Sequence, residues 1–404
     1  MSNRMSRQKR TFQIRTKANV PTLTPDNLIR ERSAKRYGCI PFGSDNLFPY
    51  AIAAMNRKSG VHRGILNKKT AYISGHGFQT NNNNLLDWTN AVNANEETLS
   101  DVLSKVIYDH LSDGNGYVEV ITDGGNTFLN IEHHDHTTVR ISEDKSGFVI
   151  KANWREKRGD KIYIPKYPYF EQDENGNLHS MIHIKSYEPE FMNYGVMDWI
   201  AGLDASAIAY KTNKWNVARL DNSFQTSGVM MIAGEFESEE AALALKDEME
   251  HEYAGEDAQG KVLFIVADLD GKQSKFIPFE QKFEGDWTTL SKEAITDLIV
   301  AHSWYRSLTS LGDNTGFDTN RILNEYEMAL LDTILPKQRL ILRPIKTTIQ
   351  AILGIDASDL KFVNKYPIKK QLDKFLMIWE ARKERGLSYD ENDPKQQQYL
   401  FEIM

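Results

Sequence analysis

The chain has 404 residues, 40% hydrophobic and 26% charged, with a formal net charge of -7; this is an ordinary globular composition with room for roughly two to four domains. No apolar run approaches the ~18 residues of a membrane span, and the basic N-terminus has no apolar stretch behind it, which excludes a secretory signal. The single cysteine, Cys39, excludes an intrachain disulfide or a Cys-based zinc site and fits synthesis in a reducing cytoplasm.

Charge is unevenly spread. Residues 1–36 hold ten Lys/Arg against two Asp/Glu, a balance of +8, whereas residues 223–285 hold fourteen Asp/Glu against five Lys, a balance of -9. The two regions therefore face different partners. Residues 1–36 lack hydrophobic periodicity and carry Pro21 and Pro25. They read as a mobile or partner-ordered arm. Arg4, Arg7, Lys9, Arg10, Arg15 and Lys17 would touch nucleic acid or an acidic protein surface; a solvated tail is the equal alternative.

After Ile40-Pro41-Phe42-Gly43-Ser44-Asp45-Asn46-Leu47-Phe48-Pro49, a helical pattern (Ile52, Met55, Val61, Ile65, Leu66) runs to an exit between Thr70 and Phe78. Asn81 to Asn84 reads as a polar loop. Leu99 to Leu111 is an amphipathic helix, and Gly114-Asn115-Gly116 ends it and starts strands. Tyr117 to Ile121 alternates as a half-buried strand, Asp123 to Asn126 is a hairpin turn, and Phe128 to Ile131 returns. Further strands are expected at Thr138–Ile141, Phe148–Trp154, Lys161–Ile164 and Met181–Ser186. The expected class is α+β, with meandering antiparallel strands packed on helices.

Val196 to Asn222 is predicted as one helix, with Ile200, Leu203, Ala207, Tyr210 and Val217 on a face. Trp287 to Leu311 is predicted as a second, through Leu290, Ala294, Leu298, Ala301, Tyr305 and Leu308. Between them lies a small acidic module. It has a strand at Ser227–Ile232, a helix capped by Ser238 with Glu239 and Glu240 in its first turn, and strands at Lys261–Ala267 and Lys275–Phe279 joined by a hairpin at Asp270-Gly271. A module of ~60 residues buries little core alone and is expected to gain stability against its own copies. Gly312-Asp313-Asn314-Thr315-Gly316 is a strong breaker run. From Asn320 a long helical pattern contains Pro336 and Pro344, where kinks or breaks are expected. Leu360 to Val363 is a short strand and Ile368 to Arg385 a last amphipathic helix.

Chemical motifs are few. His133-His134-Asp135-His136 is the most metal-like string, since His134 and His136 would share one strand face. A closed site needs a third and fourth ligand, however, and no second cluster stands out, so a polar strand end is the better reading. A metal-dependent enzyme using these four residues stays the alternative function, with a DNA-binding protein acting through the basic arm behind it. No Walker-type phosphate loop and no Gly-x-Ser-x-Gly elbow occurs. Asp268-Leu269-Asp270-Gly271 lacks the downstream Glu of a calcium loop. No catalytic site, metal or cofactor is assigned.

Three stretches, in order, resemble tailed-bacteriophage portal proteins (head–tail connectors). Gly43 to Pro49 with Ser59 and His62 looks like the opening of a portal subfamily. Asp109 to Glu119 is similar to the family's helix–Gly-Asn–strand element. Tyr194 to Met231, through Phe224-Gln225-Thr226-Ser227-Gly228-Val229, resembles its first stem helix and the approach to the clip. The resemblance covers roughly residues 37 to 385; the part after Lys365 is short for the family. It implies a basic N-terminal arm (1–36), an α/β wing (37–195 and 320–366, the latter a long kinked helix and strand), a two-helix stem (196–222 and 286–311), a small α/β clip (223–285), a tunnel loop (312–319) and a short helical C-terminal crown (367–404). It further implies a non-enzymatic ring of twelve copies at one capsid vertex of the virion, made in the host bacterial cytoplasm. Double-stranded DNA would pass through its channel, past Gly312, Asp313, Asn314, Thr315, Gly316 and Phe317. Implied partners are the terminase large subunit, a head–tail adaptor and the major capsid protein, with no membrane.

Overall fold

The computed structural model describes residues 37–123, 125, 128–156, 158–221, 228–233, 244, 263–267, 275–278, 284–309, 311, 319–367, 377–384 and 388–398. The chain opens with β1 (Cys39–Ile40) and a tight wrap into α1 (Phe48–Lys58). Gly43 sits at φ +82, where a Cβ would meet that of Phe48 at 2.8 Å. The wrap encloses the buried guanidinium of Arg140, whose Nε donates to Asn46 Oδ1 (2.6 Å) and Nη2 to the Asn46 carbonyl (2.9 Å). A buried cation needs such acceptors, which gives the Asp45-Asn46-Leu47 string its structural task.

The single helix expected through Leu66 is two. Ser59 ends α1 in extended conformation and caps α2 (Gly60–Ser74), accepting from the His62 N–H. After β2 (Phe78–Gln79) the asparagine run is not all loop: Asn82 accepts from the Leu85 N–H and starts α3 (Asn83–Thr89), because Asn is also a good N-cap. α4 (Leu99–Asp113) opens on a Thr98–Asp101 capping box and stops at Gly114 in the left-handed region, φ +89.

Two antiparallel sheets follow. One has the order β4 (Leu129–His134), β3 (Asn115–Thr122), β9 (Leu178–Lys185), β8 (Glu171–Gln172); the other β1, β5 (Val139–Ser142), β6 (Gly147–Ile150), β7 (Ile162–Pro165). β3 was expected to be half-buried but is buried on both faces. Val118 and Val120 join the main core with α2 and α4, while Tyr117 packs in a second core against Phe148 of the other sheet. A central strand covered by helices on one side and a sheet on the other has no solvent face.

Residues 196–199, expected to begin the first long helix, are not helical, and Tyr194, Gly195, Val196, Met197 and Trp199 are buried. Gly195 crosses Gly114 so closely that a Cβ would lie 2.2 Å from the Gly114 carbonyl oxygen. Tyr194 stacks on Phe42 at 4.3 Å and donates to the Ile40 carbonyl. A 3-10 turn (Ile200–Gly202) then leads into α5 (Leu203–Asp221). In the insert, β10 (Gly228–Ala233) is central, parallel to β11 (Leu263–Ala267) and antiparallel to β12 (Lys275–Pro278). The hairpin expected at Asp270-Gly271 is thereby overturned: its two strands pair with β10 on opposite edges, and the turn itself lies outside the described residues; of the helix expected after Ser238 Ala244 alone is described, and it is helical. A parallel pair needs a long crossover, and residues 234–262 provide it.

α6 (Glu284–Ala301) ends earlier than expected. Ser303 takes φ 47, Trp304 is buried, and Tyr305 and Leu308 belong to a separate stretch with a 3-10 turn (Arg306–Leu308). α7 (Thr319–Ala329), a π-helical turn (Leu330–Ile334) and α8 (Leu335–Leu353) form the long kinked helix. The irregular turn sits directly before Pro336, which lacks an N–H and would clash with the carbonyl four residues back; a widened turn relieves both. Pro344 stays inside α8. β13 (Lys361–Phe362) pairs with β2, bringing the rings of Phe362 and Phe78 to 4.6 Å. Of the last expected helix, α9 (Ile378–Glu384) is described; residues 368–376 lie outside.

Candidate functional site

The two long helices α5 and α6 pack on each other, and their shared root lies in the main core. Gly202, just before α5, is so close to the end of α6 that a Cβ would meet that of Ala301 at 2.9 Å. Beside this crossing, Trp199 donates to the Leu111 carbonyl (2.9 Å) and lies nearly parallel to His302 (5.4 Å, 18°), with His62 at 4.1 Å. His302 Nε2 is 3.0 Å from His62 Nδ1, His62 Nε2 is 2.7 Å from Asn56 Oδ1, and Asn56 Nδ2 donates to Ser112 Oγ. The bonding direction follows from the amide. Asn56 Oδ1 only accepts, so His62 carries its proton on Nε2 and leaves Nδ1 to accept from His302 Nε2–H. That requires a neutral His62 ring. Burial pushes His62 down to about 3, helped by the nearby Arg63; burial, with Lys69 and His62 alongside, takes His302 well below its ordinary value. Lys69, fully buried and lowered to about 8, chiefly by burial, donates to the His302 carbonyl (2.8 Å) and caps the end of α6. Helix α2 and the end of α6 are thus joined without a charge pair.

On the other side of the root, the chain leaves toward residues 312–318. Glu325 of α7 accepts from both the N–H and the hydroxyl of Ser307, and its second oxygen takes the Arg321 Nε–H at 2.8 Å. Against the upward push of burial, these hydrogen bonds hold its carboxyl below the usual range. Leu311 packs on the main core. Both flanks of the segment are therefore tied to one carboxylate.

The histidine string does not form the shared strand face expected of it. β4 ends at His134, so His136 lies in the following turn. Each imidazole instead meets a carboxylate: His133 Nε2 to Asp109 (2.7 Å), His134 Nε2 to Glu119 (2.5 Å) and His136 Nδ1 to Asp113 (2.6 Å). Asp135 accepts from the Thr137 N–H (2.8 Å). His179 bonds the other oxygen of Glu119 at 2.7 Å. Asp109, Asp135 and His136 bring ligand atoms within 4.8 Å of one another. Yet burial, which alone would lower His136, is outweighed by Asp113 and Asp109, which raise it to about 9. These pairs cross-link β4 and the turn after it to α4 and β3.

Gly312, Asp313, Asn314, Thr315, Gly316 and Phe317 lie outside the described residues, as do Arg4, Arg7, Lys9, Arg10, Arg15 and Lys17. The root assembly of His62, His302 and Trp199, and the clamp by Glu325, were not read from the sequence as sites. His62 stood out only within the resembling opening stretch, and nothing local links it to a histidine 240 residues away. Among the described residues no helix is long and apolar enough to cross a membrane.

Comparison with known proteins agrees with this architecture. The family model described as "Phage portal protein" matches residues 68–295. The fold is similar to a chain of the solved "Virion of native gene transfer agent (GTA) particle", at 16% identity over 85% of this chain and 95% of that one, with a TM-score of 0.53. It is likewise similar to chains in "Neck of native GTA particle computed with C12 symmetry" (16% identity, 85% and 95% covered, TM-score 0.51) and "Neck of empty GTA particle computed with C6 symmetry" (17% identity, 85% and 95% covered, TM-score 0.51). No curated protein matches the chain. Since the family model spans more than half of the sequence, the chain belongs to the phage portal protein family.

Proposed function

We propose that twelve copies of this chain form a ring at one capsid vertex, through which double-stranded DNA enters and leaves the head. The observation that carries this is the helix pair α5/α6, rooted at Gly202 and Ala301, with the acidic insert between the two helices in sequence and Ser307 and Arg321, on either side of residues 312–318, both bonded to Glu325, in a chain of the portal family. Similarity to a GTA neck computed with C12 symmetry supports the ring and the number. In this reading residues 196–222 and 286–311 are stem, 223–285 clip, 312–319 tunnel loop, 37–195 and 320–366 wing, and 367–404 crown. The role is structural rather than enzymatic. Terminase large subunit and later a head–tail adaptor dock at the clip, the major capsid protein surrounds the wing, and the arm 1–36 serves assembly.

The charge distribution fits a conduit. Contacts from Lys/Arg to phosphate give tight, salt-sensitive binding, whereas an insert balanced at -9 repels what it passes. The tunnel loop carries Asn314 and Thr315, which touch phosphate weakly, and Asp313, which repels it. Two measurements test the proposal. Mass photometry and negative-stain microscopy of the purified protein give rings; a clean monomer at micromolar concentration refutes it. Deleting Asp313 to Gly316 leaves ring assembly intact and impairs packaging or retention; a mutant that packages and keeps a full genome reduces the loop to a connector.

A further inference from the structure

A groove of about 470 Å³ lies between α8 and the chain from Ala357 to Phe362. Buried Leu342 and Leu360 line it, and exposed Arg339, Arg343 and Lys361 edge it. Arg339 and Arg343 are one helical turn apart, so both guanidinium groups stand on the same face. Lys346, also on the groove, is held by the Ser358 carbonyl at 2.8 Å. The nearby carboxylates are engaged elsewhere: Asp359 accepts from Thr80 and the Asn81 N–H, and Asp356 from Ser358. Among the described residues Arg339, Arg343 and Lys361 have no carboxylate partner. A concave site with an apolar lining and three unpaired cations calls for a segment that brings both carboxylates and an apolar side chain. A DNA duplex, a convex cylinder of phosphates, satisfies only the rim.

The same chain carries such a segment. After α9, the turn Tyr389 to Asp393 exposes Tyr389, Asp390 and Glu391. It is pre-formed: Asp390 accepts from the Asn392 N–H (2.9 Å), the Asp390 N–H donates to Gln396 (3.1 Å), and the Ile378 N–H donates to the Gln398 carbonyl (2.9 Å). A pre-organised turn loses little freedom on docking. Among the described residues the Glu391 carboxylate meets Lys383 in an exposed contact at 3.7 Å, which is worth little in water, while its backbone carbonyl accepts from Gln397. The turn is not seated in its own chain's groove, whose cations are unpaired.

We propose that the groove beside α8 receives the Tyr389–Asp393 turn of a second copy, with Asp390 and Glu391 meeting Arg339 and Arg343 across the boundary between subunits. This rests on the ring reading above, and the test separates the two. Cys39 is buried and its thiol pushed up to about 11, chiefly by burial, so it leaves a quiet background for new cysteines. The double variant R343C/E391C, treated with a short bismaleimide, gives a ladder of covalent multimers on a denaturing gel; neither single variant does. Rings that yield only the monomer band overturn this inference alone, and wild-type protein that stays monomeric overturns both. In parallel, R339E/R343E raises the protein concentration at which half the rings dissociate by about tenfold or more, and D390K/E391K in the same chain restores it. If R339E/R343E instead assembles normally and loses salt-sensitive binding to duplex DNA, the groove is a phosphate site and the proposal is wrong.

Discussion

Replacing Asp113 with Asn tests whether the histidine string is a structural cross-link. His136 is enclosed, with Asp113 Oδ2 2.6 Å from Nδ1 and Asp109 Oδ1 3.9 Å from Nε2. The carboxylates lift it from 6.5 to about 9 against the opposing effect of burial. At about 1.4 kcal/mol per decade of proton affinity, that corresponds to about 3 kcal/mol of stability. The sign follows from linkage: affinity is higher in the folded state, so the stabilisation is complete below pH 6.5 and disappears as pH rises through about 9. D113N removes the nearer carboxylate and keeps an amide oxygen for the Asn115 N–H, which Asp113 Oδ1 now accepts at 3.0 Å. Asp109 still faces the ring, so the expected loss is part of the whole, about 2 kcal/mol at pH 6. Urea unfolding followed by tryptophan fluorescence from pH 6 to 9, at one protein concentration because assembly adds to stability, reads this directly. The wild-type midpoint falls on the alkaline side, while D113N starts lower and stays flatter. Equal stability at pH 6, or an undiminished alkaline decline in D113N, would refute the reasoning.

Three further outcomes are expected. On the acid side, His62, His110 and His183 are lowered to about 3, all chiefly by burial; the stability they permit is present above pH 6.5 and drains away as pH falls, so thermal unfolding should drop steadily below 6.5, and a flat profile to pH 4.5 contradicts it. Gly114→Ala forces a side chain at φ +89 with a Cβ 2.3 Å from the Val196 carbonyl carbon, which should cost about 2–4 kcal/mol in chemical unfolding or abolish soluble expression; a variant as stable as wild type would show that the crossing relaxes freely. Glu325→Ala removes both Ser307 bonds and the Arg321 pair. It should speed limited proteolysis within residues 312–318 several-fold while ring mass is unchanged, and an unaltered cleavage rate argues that the clamp does not restrain the loop.

Much of the local structure was legible. Thr98 and Asp101 cap α4 and Gly114 ends it, because capping and left-handed glycine act within a few residues of the chain. The existence of the two long helices and the irregularity at Pro336 were readable for the same reason, whereas Pro344 was expected to kink or break the helix and stays inside it; the order of the sequence motifs was enough to suggest the family. The alternation of β3 was seen, but not that both its faces are covered.

Most element types, their order along the chain and the charge of each region can be read without a fold, because short-range propensity, capping and periodicity govern them. Where the elements stop and what their side chains meet came from the packing. α5 cannot begin before Gly195 clears Gly114, and α6 stops where Lys69 reaches the His302 carbonyl. β10 takes the middle of the insert's sheet, where adjacency in sequence would have paired β11 with β12. His133, His134 and His136 look like ligands along the chain and become partners of Asp109, Glu119 and Asp113 once α4 and β3 are laid beside them. Each is a contact between groups remote in sequence, so its chemistry depends on topology, and no local pattern encodes which distant residue arrives.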